Sequence, residues 1–200
     1  KVKYSDLKNK RIFITGGGSG IGASIVEHFC EQGSEVYFVD IDLKETKKLL
    51  NKIKKNKFRI PTFIECNLLD INKLEKTIKN IIAKKGPIHA LINNAANDDR
   101  HTTDQVDEKY WENRMAINLK HYFFAAKAVV KSMKKMKAGS IVNLSSVSWM
   151  LGEGDKVVYE TAKSAVVGLT RSFAQEYGKY NIRTNSVVPG SIATERQIKH

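Results

Sequence analysis

A doubly wound α/β fold with a parallel sheet is what this 200-residue sequence predicts, and three observations predict it. Apolar runs bounded by turn residues alternate along the chain with stretches of helical periodicity, the pattern of strand–helix–strand units that build a parallel sheet. The first apolar run ends in a glycine cluster, Thr15-Gly-Gly-Gly-Ser-Gly-Ile-Gly22, which opens directly into a helical pattern. Pro61, Pro87 and Pro189 all fall near the edges of elements, where a missing backbone N–H does least harm.

The elements follow in order. Ile12-Phe13-Ile14 marks a strand over 11–15, and the spacing of Ile21, Ile25, Val26 and Phe29 marks a helix over 20–31. Gly33 ends that helix, and Glu35-Val-Tyr-Phe-Val-Asp40 reads as the second strand. Helices over 43–54, 71–85, 107–136 and 157–178 then alternate with strands over 62–66, 88–93, 140–145 and 183–188. No repeat, long linker or low-complexity segment interrupts the pattern, so residues 1–200 read as a single domain. With 42% apolar and 28% charged residues, such a chain can bury a substantial core. Folds of this kind bind ligands at strand carboxyl ends, where the half-sheets diverge beside the first strand. The motifs below fall on that rim.

The glycine cluster is the first of them. Gly16 can take backbone angles that a side chain forbids, while Gly20 and Gly22 let the backbone approach a ligand and let the helix pack on the strand. Free N–H groups at the helix start then suit a pyrophosphate. Asp40 lies twenty residues after Gly20, where a carboxylate can accept hydrogen bonds from the ribose hydroxyls of a dinucleotide. A surface Asp after a glycine-rich turn is the bland reading; the order strand, loop, helix, strand and Asp argues against it.

The second motif is Tyr159-Glu-Thr-Ala-Lys163, with Ser146 thirteen residues upstream. A four-residue offset puts Tyr159 and Lys163 on one helical face, one turn apart. A phenol with a pKa of about 10 is a poor base at neutral pH, and a neighbouring ammonium favours the phenolate. A hydroxyl from another element can hold the substrate oxygen against it. Tyr and Lys are common on solvated helices, so the pentapeptide alone is a weak signal.

Together these residues resemble the short-chain dehydrogenase/reductase family. Thr15 to Gly22 is similar to its TGxxxGIG loop, and Ser146, Tyr159 and Lys163 match its catalytic motif. Asn118, in Met-Ala-Ile-Asn-Leu, matches the fourth catalytic position, and Asn93-Asn94-Ala95 matches Asn-Asn-Ala-Gly after the fourth strand. Pro189-Gly190, with Thr194 four residues on, matches PGxxxT. The resemblance covers residues 8–198 and implies a Rossmann-type sheet. It implies cofactor contacts from Gly16, Ser19, Gly20, Ile21, Gly22, Asp40, Asn67, Leu68, Asn94, Pro189, Gly190, Ile192 and Thr194. Lys163 would also hold the nicotinamide ribose beside Tyr159, and Asn118 would support a water that relays the proton outward. Ser145 and Ser148 compete with Ser146 as the hydroxyl that holds substrate; the offset from Tyr159 favours Ser146.

Two positions depart from the family pattern: Ala96 replaces the last glycine of Asn-Asn-Ala-Gly, and Asn67 stands where Asp is usual. The resemblance further implies roughly fifty more residues after His200, supplying a substrate-covering segment and a seventh strand.

The resemblance carries an expected reaction. In oxidation, Tyr159 takes the substrate hydroxyl proton while hydride passes to the nicotinamide. Lowering a Tyr pKa by 2–3 units requires roughly 3–4 kcal/mol of differential stabilisation, for which Lys163 and the cofactor's positive ring are the sources. A 2′-phosphate near Asp40 would set negative against negative, and positions 41–43 hold no cation, Lys44 being the nearest. NAD is therefore expected over NADP.

For substrate, the loop Asn97-Asp98-Asp99-Arg100-His101 and the stretch Ser148-Trp149-Met150-Leu151-Gly152-Glu153 suit a polyol, with polar groups for hydroxyls and a ring for an apolar face. These loops resemble the aldose 1-dehydrogenases of the family, the D-xylose type above all. Asp98, Asp99, His101, Ser146, Trp149, Glu153 and Tyr159 are the candidate substrate contacts, and the reaction implied is oxidation of a sugar's anomeric carbon to a lactone. The alternatives are a surface ion cluster with Trp149 in the core, a carbonyl reductase such as 3-oxoacyl-carrier-protein reductase, and a nucleotide-binding regulator without turnover.

Composition sets further expectations. The net charge of +13 rests on 27 lysines and only 7 arginines, whereas base readout favours Arg. No alternation of basic and aromatic residues suggests a stacking platform for nucleic acid. Solvated helix faces are expected instead of a specific nucleic-acid partner. No apolar run reaches transmembrane length. Cys30 and Cys66 lack metal spacing and read as buried thiols of a reducing, cytoplasmic compartment. No metal site is expected, and the family implies a homo-oligomer.

Overall fold

Residues 2–194 are described by the structure, a computed structural model. Six strands form one sheet: β1 (Arg11–Thr15), β2 (Glu35–Asp40), β3 (Thr62–Glu65), β4 (Ala90–Asn93), β5 (Gly139–Leu144) and β6 (Ile182–Val187). All pairings are parallel, in the order β3-β2-β1-β4-β5-β6. The connecting helices are α1 (Gly20–Glu31), α2 (Leu43–Lys55), α3 (Ile71–Lys85), α4 (Glu108–Met115), α5 (His121–Met136), α6 (Ser148–Leu151) and α7 (Val157–Tyr177).

The two-residue period of a strand divides the core. In β1, Ile12 and Ile14 enter one layer with Val26 of α1 and Leu49 and Ile53 of α2. Phe13 enters the other, against Ile78 of α3, Val129 of α5 and Phe173 of α7. Strands covered on both faces need unbroken apolar runs, which is how β1 and β2 read. The order reverses beside β1, whose partners are β2 and β4, leaving a crevice at the carboxyl ends of those strands.

The predicted sheet and its bounds agree with the structure to within one or two residues. The predicted helix 107–136 does not survive as one piece. It divides into α4, a five-residue π-helical turn over Ala116–Lys120, and α5. Asn118 lies in that turn, buried, with its amide bonded to the backbone of Asn97. The short α6, closed by left-handed Gly152, also went unpredicted, because four residues carry no readable period.

Cys30 and Cys66 are free and buried. Burial pushes both thiols up, Cys30 to about 12, so neither is poised to react. Among the described residues no helix is long and apolar enough to cross a membrane. No group of three or more His, Cys, Asp or Glu is placed to hold a metal ion among them.

Candidate active site

The loop between β1 and α1 is shaped by what cannot fit in it. A Cβ on Gly22 would lie 1.8 Å from the Gly16 carbonyl oxygen, and one on Gly16 would lie 2.7 Å from the Ala95 backbone. Gly16 and Gly20 also hold positive φ, at 65° and 53°. Side chains at these positions are excluded by sterics. No side chain caps α1, whose N-cap is Ser19, so its first-turn N–H groups are available to an anion.

Asp40 closes the loop from β2. Its Oδ2 accepts the Gly18 N–H at 2.7 Å, and its Oδ1 accepts those of Ile41 and Asp42 at 2.7 and 2.9 Å. The carboxylate is therefore held in place by three backbone donors beside the glycine loop. Asn94 secures the other side: its Nδ2 donates to the Thr15 and Gly16 carbonyls, while its N–H reaches Thr15 Oγ1 at 3.0 Å. Thr15 thus ties β1 to β4, a role its place at the head of the motif did not announce. Thr194 Cγ2 lies 3.5 Å from where a Gly20 Cβ would stand, so the segment after β6 returns over the loop.

The remaining predicted cofactor contacts are placed as follows. Asn67 is exposed and its Oδ1 accepts the Leu69 N–H at 3.0 Å, leaving its NH2 group as the donor it can offer. Leu68 buries its side chain in the core, so only its main chain can meet a ligand. Pro189 accepts the Val147 N–H at 3.1 Å and anchors its segment to the loop after β5. Gly190 and Ile192 are exposed, and Ile21 is partly so.

The acid/base group sits where α7 crosses the end of β5. Lys163 Nζ is buried, lies 5.5 Å from the Tyr159 ring centroid, and donates to the Leu144 carbonyl at 2.7 Å and to Tyr122 Oη at 2.9 Å. Tyr122 donates in turn to the same carbonyl at 2.9 Å. Burial pulls the Lys163 ammonium down to about 7, and the Asp98 carboxylate opposes that fall. Next to it, His121 is driven down to about 3 by burial and by the Lys163 charge. His121 is therefore a neutral wall of the site, 3.4 Å from Thr15 Oγ1.

The surroundings of the three competing serines separate them. Ser145 is buried and donates to the Lys163 carbonyl at 2.7 Å, clamping α7 to β5. Ser148 is buried as well, with its hydroxyl 2.9 Å from that of Ser146. Ser146 alone of the three is partly exposed. Asn118 accepts the Asn97 N–H at 2.8 Å and donates to its carbonyl at 3.0 Å. Beyond these two bonds its amide keeps one N–H donor and one oxygen lone pair.

The predicted substrate contacts divide. Asp98 bears electrostatically on Lys163, and Trp149 buries an indole N–H with no hydrogen-bond partner. Asp99 is exposed and paired with Arg114 at 2.9 Å. Glu153, also exposed, is paired with Lys156 at 2.5 Å. His101 is buried with its ring nitrogens engaged by protein groups. Sequence reasoning missed Tyr122, although it stands four residues after Asn118 and so faces the same way. It also missed Tyr110 and Arg114, which gave no signal.

Comparison with known proteins agrees with this geometry. A profile described as short chain dehydrogenase matches residues 10–200. The D-xylose 1-dehydrogenase of Caulobacter vibrioides is 42% identical over 196 residues, covering 98% of this chain and 77% of that protein. A 3-oxoacyl-acyl-carrier-protein reductase of Thermotoga maritima is 31% identical over 188 residues, covering 94% of this chain and 76% of its own. The solved structure of Thermoplasma acidophilum aldohexose dehydrogenase matches with a TM-score of 0.84 at 32% identity, covering 96% of this chain and 70% of that one.

Proposed function

The chain belongs to the short-chain dehydrogenase family and is an oxidoreductase, and we propose that it oxidises a free aldose at the anomeric carbon with NAD as hydride acceptor. When bound, the nicotinamide ring supplies the electrophile that receives the hydride. The chain's own residues supply the rest. Ser146 holds the anomeric hydroxyl by its own hydroxyl, the partly exposed one at the end of β5. Tyr159 takes the hydroxyl proton as the carbonyl forms. Lys163, buried beside Tyr159, favours the phenolate and would donate its third proton to the ribose hydroxyls. Asn118 supports a water that carries the proton outward. The product is a lactone.

The observation that carries the sugar reading is the 42% identity to a D-xylose 1-dehydrogenase over nearly the whole chain, and Asp98, whose carboxylate bears electrostatically on the buried Lys163, is the proposed contact for a hydroxyl. A sugar hydroxyl donating to such a group makes a charge-assisted hydrogen bond, worth about 1.5–3 kcal/mol. A homo-oligomer is part of the same proposal.

The test is a panel of pentoses, hexoses and their deoxy forms with NAD, followed by nicotinamide absorbance and product analysis. Asp98→Ala should lower kcat/KM about 10- to 100-fold for the sugar bearing the contacted hydroxyl, and less for its deoxy analogue. Equal small losses on every sugar, or reduction of a 3-oxoacyl thioester with none of the sugars oxidised, would overturn the assignment.

Cofactor choice has its own test. Asp40→Ala removes the ribose acceptor and the repulsion toward a 2′-phosphate, so the preference for NAD over NADP should narrow or reverse. The same variant frees the Gly18, Ile41 and Asp42 N–H groups, and should lose about 1–3 kcal/mol of stability in urea denaturation. A preference for NADP in the unaltered protein would refute the assignment of Asp40.

A further inference from the structure

His101 differs from the other loop residues in what it touches. It is 6% exposed. Nε2 lies 3.3 Å from the Val158 nitrogen, whose N–H it accepts. A backbone N–H can only be accepted, so Nε2 is the bare nitrogen and the ring proton lies on Nδ1. That proton faces the Asp99 carbonyl at 3.0 Å and Tyr110 Oη at 2.8 Å. The His101 N–H donates to the Asp155 carbonyl at 2.7 Å, and the ring packs edge-on against Tyr110 with centroids 5.0 Å apart. One residue thus joins the loop after β4, helix α4, the loop before α7, and the first turn of α7.

Val158 is the second residue of α7. A first-turn N–H has no acceptor within its own helix, and the N-cap, Lys156, supplies no side-chain bond. His101 fills that vacancy from 57 residues away. A neutral ring presenting a lone pair also suits the positive end of a helix. Tyr159 is the next residue, and Lys163 follows one turn later.

The charged groups around His101 brace the same clamp. Arg114 pairs with Asp99 and lies over the Tyr110 ring at 4.7 Å from its centroid. Arg100 pairs with Asp155. Much of the polarity that marks this loop is therefore spent within the protein.

We infer that His101 is a positioning residue, which caps α7 from the loop after β4 and fixes the height of Tyr159 over the substrate. This rests on Tyr159 as the acid/base group and not on the identity of the sugar. The cap sits at the start of the helix that carries Tyr159, and a misplacement of about 1 Å at a reacting group costs on the order of 10²-fold in rate.

The experiment compares His101→Leu, His101→Gln and Tyr110→Phe, using whichever substrate the unaltered enzyme turns over. His101→Leu should lower kcat on the order of 10²-fold with KM changed less than about threefold. His101→Gln, whose amide oxygen can accept the Val158 N–H, should recover about tenfold of that loss. Should the Leu variant fail to fold, Tyr110→Phe removes only the hydroxyl facing Nδ1, and should lower kcat by about threefold to tenfold. Hydrogen exchange at the Val158 amide gives a readout that needs no substrate. It should quicken on the order of tenfold or more in His101→Leu and slow again in His101→Gln. A raised KM with unchanged kcat would make His101 a substrate contact and overturn the inference, as would Val158 exchange that does not move. Failure of every sugar on the panel leaves the exchange measurement standing, so the two readings fail separately.

Discussion

Tyr159→Phe is expected to remove turnover while leaving NAD binding and the fold unchanged. The phenol hydroxyl is the only part of the side chain that can carry a proton, and the ring that remains fills the same space. Proton transfer by a positioned side chain contributes about 10²–10⁴-fold, so the loss should fall at or beyond the upper end of that range where no water can substitute. Fluorescence titration with NADH would follow binding, and steady-state assays would follow turnover. A folded variant retaining near-normal turnover would sink the proton-transfer role.

The second large effect is expected at Lys163, with opposite signs for activity and stability. Burial pulls its ammonium down to about 7 from 10.5. Between those values the unfolded chain holds a proton that the folded chain has released, so this group's contribution to stability rises with pH across that window. Below about pH 7 both states are protonated and the full penalty of a buried charge remains. Lys163→Met replaces that charge with an apolar chain of similar reach. The Leu144 carbonyl keeps its bond from Tyr122, so little is left unsatisfied. The cofactor-free variant should gain about 2–4 kcal/mol near pH 6–7, and the gain should fade toward pH 10. Turnover should be lost, and NAD affinity should fall because the ribose loses its donor. Urea titrations at pH 6, 8 and 10 would check it; a variant less stable than the parent at pH 6 would contradict the burial argument.

These two experiments fall on residues that could be read without a structure, and the reasons are physical. Gly16 to Gly22 and Asp40 announce themselves because only certain residue types fit their backbone and charge requirements. Tyr159 and Lys163 announce themselves because helix geometry fixes the distance between positions four apart. The strands were legible because burial on both faces demands continuous apolar runs, as in Ile12-Phe13-Ile14. Contacts made across the fold were not legible. Nothing local links Lys163 to Tyr122, Asn118 to Asn97 or His101 to Val158. The loop 97–101 reads as polar either way, whether its groups face a sugar or one another. The break in the predicted helix 107–136 was hidden for a similar reason, since a π-helical turn leaves the amphipathic pattern on either side of it intact.

A helix advances about 100° per residue, and the wider turn over Ala116–Lys120 accommodates an additional residue between two segments that are otherwise regular. Helix α4 presents Tyr110 and Arg114 to the loop after β4, while α5 presents Tyr122 to Lys163. The wider turn absorbs its additional residue locally, so both sets of contacts keep their register on either side of it. Deleting one residue there should heal the turn to ordinary helix and displace Asn118, whose amide meets the Asn97 backbone. The surplus residue is thus spent on aiming one buried amide at the loop after β4.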